Sequence, residues 1–198
     1  MSSKARIPSG SPEERITAVA ADLFYTQGYR ATGVNELIER SGVAKATFYS
    51  HFPSKEDVAV AYLEQARQQE LRYLDGCLSA ETDPLGRYLS VAKSIGPWLI
   101  EHDYRGCPFI NMASEMPDAN ERLRKIGIRM YNEAEALVQT LTQELIASDR
   151  KRYGQLDARR ISKEYMVIVA GGLALAGVHR KLWPAEHALN AARRLVGA

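Results

Sequence analysis

Apolar residues recur at helical spacing along most of the chain, and no stretch alternates apolar and polar residues as a half-buried strand does. The first such segment places five apolar residues on one helix face: Ile16, Val19, Ala20, Leu23 and Phe24. Ser11 is a suitable N-cap because Pro12 follows it and Glu14 stands where a capping box needs a carboxylate. Gly28 suits the left-handed residue that ends a helix. The pattern therefore predicts a helix from Ser11 to just before Gly28.

Two shorter helices are predicted next, separated by a glycine turn. The second helix begins at Thr32, whose hydroxyl is the predicted cap, and it breaks at Gly42. The third runs from Lys45 to about His51 and ends at Phe52, because the residue before a proline is pushed out of the helical region. Two short helices joined by such a turn, after a longer supporting helix, predict a helix-turn-helix unit.

The third helix is predicted to expose a small, hydroxyl-bearing face. When successive residues are placed about 100° apart, Phe48 and Phe52 fall on one side and face the first two helices. The opposite side and its flanks carry Ala46, Thr47, Tyr49 and Ser50. Such a face is narrow enough to enter the major groove of DNA, which admits one helix.

The remainder of the chain also has helical periodicity. It predicts six further helices, at about 54–80, 85–101, 108–115, 117–150, 156–180 and 184–196. The predicted fold is therefore all-α with about nine helices. We predict a flexible arm at residues 1–10, a helix-turn-helix DNA-binding domain at 11–53, and a larger helical ligand-binding and dimerisation domain at 54–198.

The overall composition does not by itself indicate a nucleic-acid-binding protein. The formal net charge is only +2, and the apolar and charged fractions of 45% and 25% are typical of soluble globular proteins. A local basic patch does exist, because residues 44–55 contain Lys45, His51 and Lys55 and no acid. DNA binding is therefore predicted from the motif and this patch.

Several function classes find no support in the sequence. The longest apolar run, Met166–Val178, is shorter than the roughly 20 residues of a membrane span, and the N-terminus lacks an apolar signal core. These features predict a cytoplasmic protein with no membrane partner. Cys77 and Cys107 are predicted to be free thiols. The sequence lacks a phosphate loop, a GxSxG motif and an HExxH motif, so no enzyme activity, metal site or cofactor is predicted.

One segment carries a family resemblance. Residues 17–58 read TAVAADLFYTQGYRATGVNELIERSGVAKATFYSHFPSKEDV, and this resembles the DNA-binding domain of the TetR family of repressors. The resemblance implies double-stranded operator DNA as a partner, with contacts at Thr32, Gly33, Lys45, Ala46, Thr47, Tyr49, Ser50, His51 and Lys55. One departure is Ala44, where the family usually has a capping Ser or Thr, so the third helix is predicted to lack a side-chain cap.

Structural alternatives stand beside these DNA contacts. Tyr49 is alternatively a core tyrosine with a solvated hydroxyl, and His51 a half-buried structural histidine. Lys45 and Lys55 are alternatively ordinary solvated lysines. The whole motif is alternatively a surface for protein contacts. Cys107 is interpreted as a buried, inert thiol, because a lone cysteine makes a poor metal site.

The C-terminal part is less specific. Aromatic and methionine side chains there are either core or the lining of a pocket for a small hydrophobic or aromatic effector, with Asn111 as a polar anchor; the candidates are Tyr62, Trp98, Phe109, Asn111, Met112, Met130 and Tyr131. In proteins that this one resembles, the last two helices of each protomer form a four-helix bundle across a two-fold axis. This implies a dimer interface at Val167, Ala170, Gly171, Ala174, Gly177, Val178, Leu189, Ala192 and Leu195. These expectations describe a ligand-responsive repressor that binds a palindromic operator as a dimer. The alternatives are a constitutive DNA-binding dimer or a helical, transferase-like enzyme.

Overall fold

The computed structural model describes residues 9–116 and 121–198, and every regular element in these two ranges is a helix. The predicted all-α fold is therefore confirmed. The helices are α1 (Pro12–Thr26), α2 (Val34–Ser41), α3 (Lys45–His51), α4 (Lys55–Ser79), α5 (Pro84–Glu101), α6 (Pro108–Glu115), α7 (Glu121–Ser148), α8 (Arg150–Tyr153), α9 (Ala158–His179) and α10 (Trp183–Leu195).

The first helix begins and ends as the sequence predicts. The backbone N–H of Glu14 donates to Ser11 Oγ at 3.2 Å, and the N–H of Ser11 donates to Glu14 Oε2 at 2.8 Å, which completes the capping box. Gly28 follows the helix with a φ of +97°, a conformation that glycine adopts without a Cβ penalty. Local hydrogen bonding therefore sets both ends of α1.

The start of α2 differs from the prediction. The helix begins at Val34 with Gly33 as its N-cap, and no side chain caps it. The Thr32 hydroxyl, predicted to cap this helix, instead donates to the Gly28 carbonyl oxygen at 2.8 Å. The predicted turn at Gly42 is present, with a left-handed φ of 63°. Thr32 thus stabilises the α1–α2 loop and leaves the first N–H groups of α2 without a side-chain partner.

The boundaries of α3 agree with the prediction. Its N-cap is Ala44, which makes no capping hydrogen bond, and Phe52 leaves the helical region at its end. Phe48 and Phe52 are buried, and α1 packs against both α2 and α3. The two phenylalanines therefore fix the rotation of α3 about its own axis, which decides the face that it shows to solvent.

The chain divides into two compact units. The first comprises Met1–Arg67 and Pro108–Gly127, and the second comprises Gln68–Cys107 and Ile128–Ala198. Besides α1–α3, the first unit includes α6 and the first part of α4, whose Val58, Ala59 and Leu63 are buried. The predicted boundary after residue 53 separates a DNA-binding domain from a ligand-binding and dimerisation domain. Because this division is one of function, it remains a prediction.

The second unit is built around α5, α9 and α10, which pack against one another. Two buried tyrosines link these helices. The Tyr88 hydroxyl donates to the Ala192 carbonyl oxygen at 3.1 Å, and the Tyr165 hydroxyl donates to the Tyr88 carbonyl oxygen at 2.9 Å. The Tyr165 oxygen also accepts from the N–H of Ala92 at 2.9 Å. Because each buried hydroxyl is satisfied, these bonds fix how the three helices pack.

The long helix predicted at 117–150 is divided. Helix α7 ends at Ser148, and Asp149 caps the separate short helix α8 by accepting from the N–H of Arg152 at 3.0 Å. An aspartate that bonds the backbone ahead of it starts a new helix instead of continuing the old one. The predicted start at Pro117 lies outside the described residues.

Candidate nucleic-acid interface

The exposed side of α3 carries the residue types that the sequence predicts. Lys45, Ala46, Ser50 and His51 are exposed and Thr47 is half-buried. Tyr49 is 44% exposed, so it is not a core tyrosine. Its ring lies edge-on to the buried Phe48 ring with the centroids 5.3 Å apart, which restrains the ring and leaves the hydroxyl end outside.

The Ser50 hydroxyl is already engaged within the helix. It donates to the carbonyl oxygen of Thr47 at 2.8 Å, and this oxygen belongs to the preceding turn. The Ser50 oxygen therefore remains free to accept a hydrogen bond, and donation to a phosphate would require the internal bond to break. Among the α3 residues, Lys45 is the exposed cation at the helix start, where base edges are read.

Lys55 has a structural role that its position in the basic patch does not indicate. Its Nζ donates to the carbonyl oxygens of Tyr29 and Thr32, each at 3.0 Å, and lies 4.2 Å from the centroid of the Tyr29 ring. Burial lowers the pKa of its ammonium. Two of its three N–H donors are engaged by the α1–α2 loop, so Lys55 holds this loop in place, and its contact with DNA remains a prediction.

Thr32 is also placed differently from the prediction. Its side chain is 1% exposed and its hydroxyl bonds inside the loop, so no side-chain contact with DNA is available to it. The neighbouring Gly33 is exposed and caps α2 with its backbone alone. The N–H groups at the start of α2 are therefore the part of this segment suited to a phosphate.

The start of α4 is less suited to an anion than the sequence suggests. The Ser54 hydroxyl donates to Asp57 Oδ2 at 2.7 Å and accepts from the Asp57 N–H at 3.2 Å. Glu56 and Asp57 are both bound by Arg122, at 3.1 and 3.0 Å. The hydrogen bond from Ser54 and then Arg122 lower the pKa of Asp57, so its negative charge stands at this helix start.

Sequence reasoning missed a second support of the α1–α2 loop. Glu115 at the end of α6 accepts from the backbone N–H of Arg30 at 2.8 Å. A Cβ built on Gly28 would lie 2.7 Å from Glu115 Oε1, so the loop backbone approaches the end of this side chain closely, and the positive φ of Gly28 favours glycine there. These residues are 85 positions apart in the chain, and no local pattern signals the contact. Lys55 and Glu115 together hold the loop that precedes α2.

Residues 16–62 match the model of bacterial regulatory proteins of the TetR family, and residues 93–192 match the model of the tetracyclin repressor-like C-terminal domain. The chain belongs to the TetR family. The resemblance predicted from residues 17–58 is therefore confirmed, and the family assignment extends to the C-terminal part.

The relatives agree in function class. The chain is 26% identical over 180 residues to the HTH-type transcriptional regulator LmrA of Bacillus subtilis, covering 90% of this chain and 93% of that protein. It is also 26% identical over 190 residues to the HTH-type transcriptional repressor NemR of Escherichia coli K12, covering 92% of each. A TetR-family regulator from Streptomyces coelicolor has the same fold, with a TM-score of 0.83 at 23% identity over 95% of this chain and 90% of that one. This TetR-family member is a DNA-binding transcription regulator and not an enzyme, as predicted.

The predicted effector residues of this regulator fall in both compact units. The first unit contains Tyr62, Phe109, Asn111 and Met112, and the second contains Trp98, Met130 and Tyr131. The Tyr62 ring packs edge-on against the Phe24 ring of α1 with centroids 5.8 Å apart, so one of its contacts is with the core of the first unit. An effector role for these seven residues remains a prediction.

The groove beside Gly96 and Pro97 lies elsewhere than the predicted effector residues. It has a volume of about 250 Å³ and opens between α5 and α10, where Ile100, Leu182 and Leu189 also line it. None of the predicted effector residues lines this groove.

The predicted dimer residues differ in their exposure. On α9, Val167, Gly171, Ala174 and Val178 are exposed, and Ala170 and Gly177 are half-buried, as are Leu189 and Leu195 on α10. Ala192 is fully buried inside its own protomer and has no side-chain surface for a partner. The prediction that Ala192 lies on the partner-facing side of α10 is therefore wrong. This residue packs inward, and the Tyr88 hydroxyl donates to its carbonyl oxygen.

Helix α9 is more apolar than the sequence analysis suggested. With a mean hydropathy of 1.4 over its best window, its length and composition alone would allow it to cross a membrane. Its Tyr165 side, however, is buried against α5, where the hydroxyl bonds two backbone groups. In this TetR-family member α9 is a core helix of the second unit that also has an exposed apolar side.

Proposed function

We propose that the protein is a ligand-responsive repressor, which binds a partly palindromic operator as a homodimer and leaves it when a small-molecule effector binds. The cytoplasm, where the operator is found, is its proposed location. The observation that carries the dimer is the exposed apolar side of α9. The relative NemR is a transcriptional repressor by name, which supports the sign of the regulation.

The exposed residues of α9 form a continuous stripe. Val167, Gly171, Ala174 and Val178 recur at intervals of four and three residues, so they lie on one helix face. Val167 and Val178 are 74% and 77% exposed, and a Cβ built on Gly171 would meet no atom within 4 Å. A stripe that combines exposed valines with small residues suits the close approach of another helix. A second copy covers the stripe with the same surface in a two-fold dimer.

Dimerisation would present two α3 helices to the same DNA duplex. Two recognition helices held roughly 34–36 Å apart match successive major grooves, so a two-fold protein reads a partly palindromic site. The exposed Lys45, Tyr49 and Ser50 then meet each half-site. Effector control requires a ligand that binds the released state more tightly than the DNA-bound state. Helix α4 connects the two compact units along the chain: its residues up to Arg67 belong to the first unit, and those from Gln68 onward belong to the second.

Charge placed on the stripe tests the dimer. Val178→Glu is expected to make the protein monomeric in light scattering coupled to size exclusion, because a carboxylate would be buried in an apolar interface. Lys151→Glu introduces a carboxylate at an exposed position of α8 and changes the net charge even more than Val178→Glu does, so it serves as the control. Operator affinity is measured with a duplex selected from a random library by the wild-type protein. A dimeric Val178→Glu variant with full operator affinity contradicts the proposed interface.

Effector control has its own test. Compounds that raise the melting temperature of the protein are added to the complex with the selected duplex. Release of DNA is expected for those that bind tightly. If every tight binder leaves operator affinity unchanged, the protein is a constitutive DNA-binding dimer, and the ligand-responsive part of the proposal fails.

A further inference from the structure

Glu70 of α4 is a buried carboxylate whose position the DNA-binding function does not explain. Its Oε2 is fully buried and has no hydrogen-bond partner within the described ranges, although the side chain as a whole is half-buried. Native structures contain few such groups, because burying a charge without a partner is strongly unfavourable. The carboxylate therefore calls for a partner.

The surroundings of Glu70 do not supply one. Burial alone raises its pKa to about 7, and no described cation offsets the effect. Tyr131 of α7 lies near enough that the Glu70 charge adds to the burial and the Cys107 thiol in raising the tyrosine pKa. The Tyr131 hydroxyl, however, donates to Cys107 Sγ at 3.4 Å. The Tyr131 hydroxyl therefore gives its hydrogen bond to Cys107 and not to Glu70.

Aromatic rings stand on the same side of α4. Tyr73 follows Glu70 by about one helical turn, and its ring centroid lies 5.7 Å from that of Trp98. The Tyr73 hydroxyl donates to the Ser94 carbonyl oxygen at 3.2 Å, and Trp98 Nε1 donates to the Gly106 carbonyl oxygen at 3.5 Å. One face of the Trp98 ring is also covered by the stacked His102 ring, with the centroids 3.7 Å apart. The Tyr73 ring and the other face of Trp98 are therefore the aromatic surfaces that remain for a ligand, and the Glu70→Gln variant separates a pH effect of Glu70 from one of His102.

A buried carboxylate that has Tyr73 one turn along its helix and interacts electrostatically with Tyr131 suits a cation. The rings attract positive charge through their faces, and the carboxylate neutralises it. We propose that Glu70 is the counter-charge for the ammonium group of an arylalkylamine effector, with Tyr73, Trp98 and Tyr131 contributing aromatic surface. This inference rests on the proposed function, because it names the chemical class of the effector in the second unit.

The pH dependence of binding distinguishes this ligand from a neutral one. An ammonium group pairs with ionised Glu70, so its affinity rises as pH increases through about 7. A neutral ligand that accepts a hydrogen bond from protonated Glu70 shows the opposite trend. Tyr73 and Tyr131 have raised pKa values and remain neutral over this range. With the Glu70 pKa near 7, the affinity for an amine is expected to be about tenfold higher at about pH 8 than at about pH 6.

The experiment uses the full-length protein, with phenylbutylamine as the probe and phenylbutanol as its uncharged counterpart. Binding is followed by calorimetry at both pH values. The amine is expected to bind more tightly than the alcohol, with the tenfold pH effect. Glu70→Gln is expected to abolish the preference for the amine and the pH effect. Asp75→Asn removes an exposed carboxylate from the same helix and is expected to change neither.

Three outcomes overturn the inference: the amine fails to bind, the alcohol binds equally well, or a folded Glu70→Gln variant keeps the preference for the amine. Folding of each variant is checked by thermal unfolding. Release of the selected DNA duplex is measured separately. If the amine binds through Glu70 but does not release DNA, the Glu70 site stands and the ligand-responsive function fails. If another compound releases DNA while no amine binds, the opposite holds.

Discussion

Replacing Lys55 separates a structural clamp from a DNA contact. In the Lys55→Ala variant, the carbonyl oxygens of Tyr29 and Thr32 lose a donor at 3.0 Å each, and the Tyr29 ring loses the ammonium at 4.2 Å. Hydrogen bonds to charged groups contribute about 1.5–3 kcal/mol each. Two such bonds at the low end of this range amount to about 3 kcal/mol. Because the site is partly open to water, which replaces part of this, the expected loss is about 2 kcal/mol.

The assay combines unfolding with DNA binding. For a chain of this size, about 2 kcal/mol corresponds to a fall in melting temperature of roughly 4–8 °C. Operator affinity is measured by fluorescence anisotropy over a series of salt concentrations. Because two of the three N–H donors of Lys55 are engaged by backbone carbonyl oxygens, we expect the slope of log affinity against log salt to stay the same.

Lys45→Ala is the matched control, because Lys45 is exposed on α3. Its melting temperature is expected to change little, within about 0.5 kcal/mol of stability. Its operator affinity is expected to fall by about 1–3 kcal/mol per half-site if the ammonium reads a guanine. The reasoning is refuted if Lys55→Ala melts like the wild type while its salt slope falls by about one unit per lost contact.

Three further predictions concern single side chains. Glu115→Ala is expected to lower operator affinity without changing the salt slope, because the N–H of Arg30 loses its acceptor; Glu115→Gln keeps an acceptor oxygen and is expected to restore much of the affinity, and equal losses in both variants would contradict this. Ala44→Ser supplies the missing cap of α3 and is expected to stabilise the protein by about 1 kcal/mol, measured by thermal unfolding; an unchanged melting temperature would show that the cap does not form. Glu70 has a raised folded-state pKa, so its contribution to stability is full below about pH 4.5 and is lost as pH rises through about 7. Glu70→Gln is therefore expected to be more stable than the wild type above about pH 7, by on the order of 3 kcal/mol at most, and a difference that is constant from pH 4 to 8 (about the range of the shift) would argue against a perturbed Glu70.

The sequence alone predicted the helices and the orientation of α3. The capping box at Ser11, the left-handed Gly42 and the end of α3 at Phe52 are local features, decided within a few residues. The spacing of Phe48 and Phe52 predicted their burial and, with it, the exposed side that carries Tyr49. Such predictions succeed because, in a helix, the spacing of residues along the sequence determines which side of the helix their side chains occupy.

The roles of the polar residues required the tertiary structure. Lys55 appears as a free cation in the sequence, but carbonyl oxygens 26 and 23 positions away take up its donors. Glu115 supports a loop 85 positions earlier, and Glu70 is an unpaired acid only because other helices cover it. Periodicity records which side of a helix is apolar, but it holds no information on which distant backbone groups a polar side chain will meet. That is decided when the segments pack and every buried donor and acceptor must find a partner.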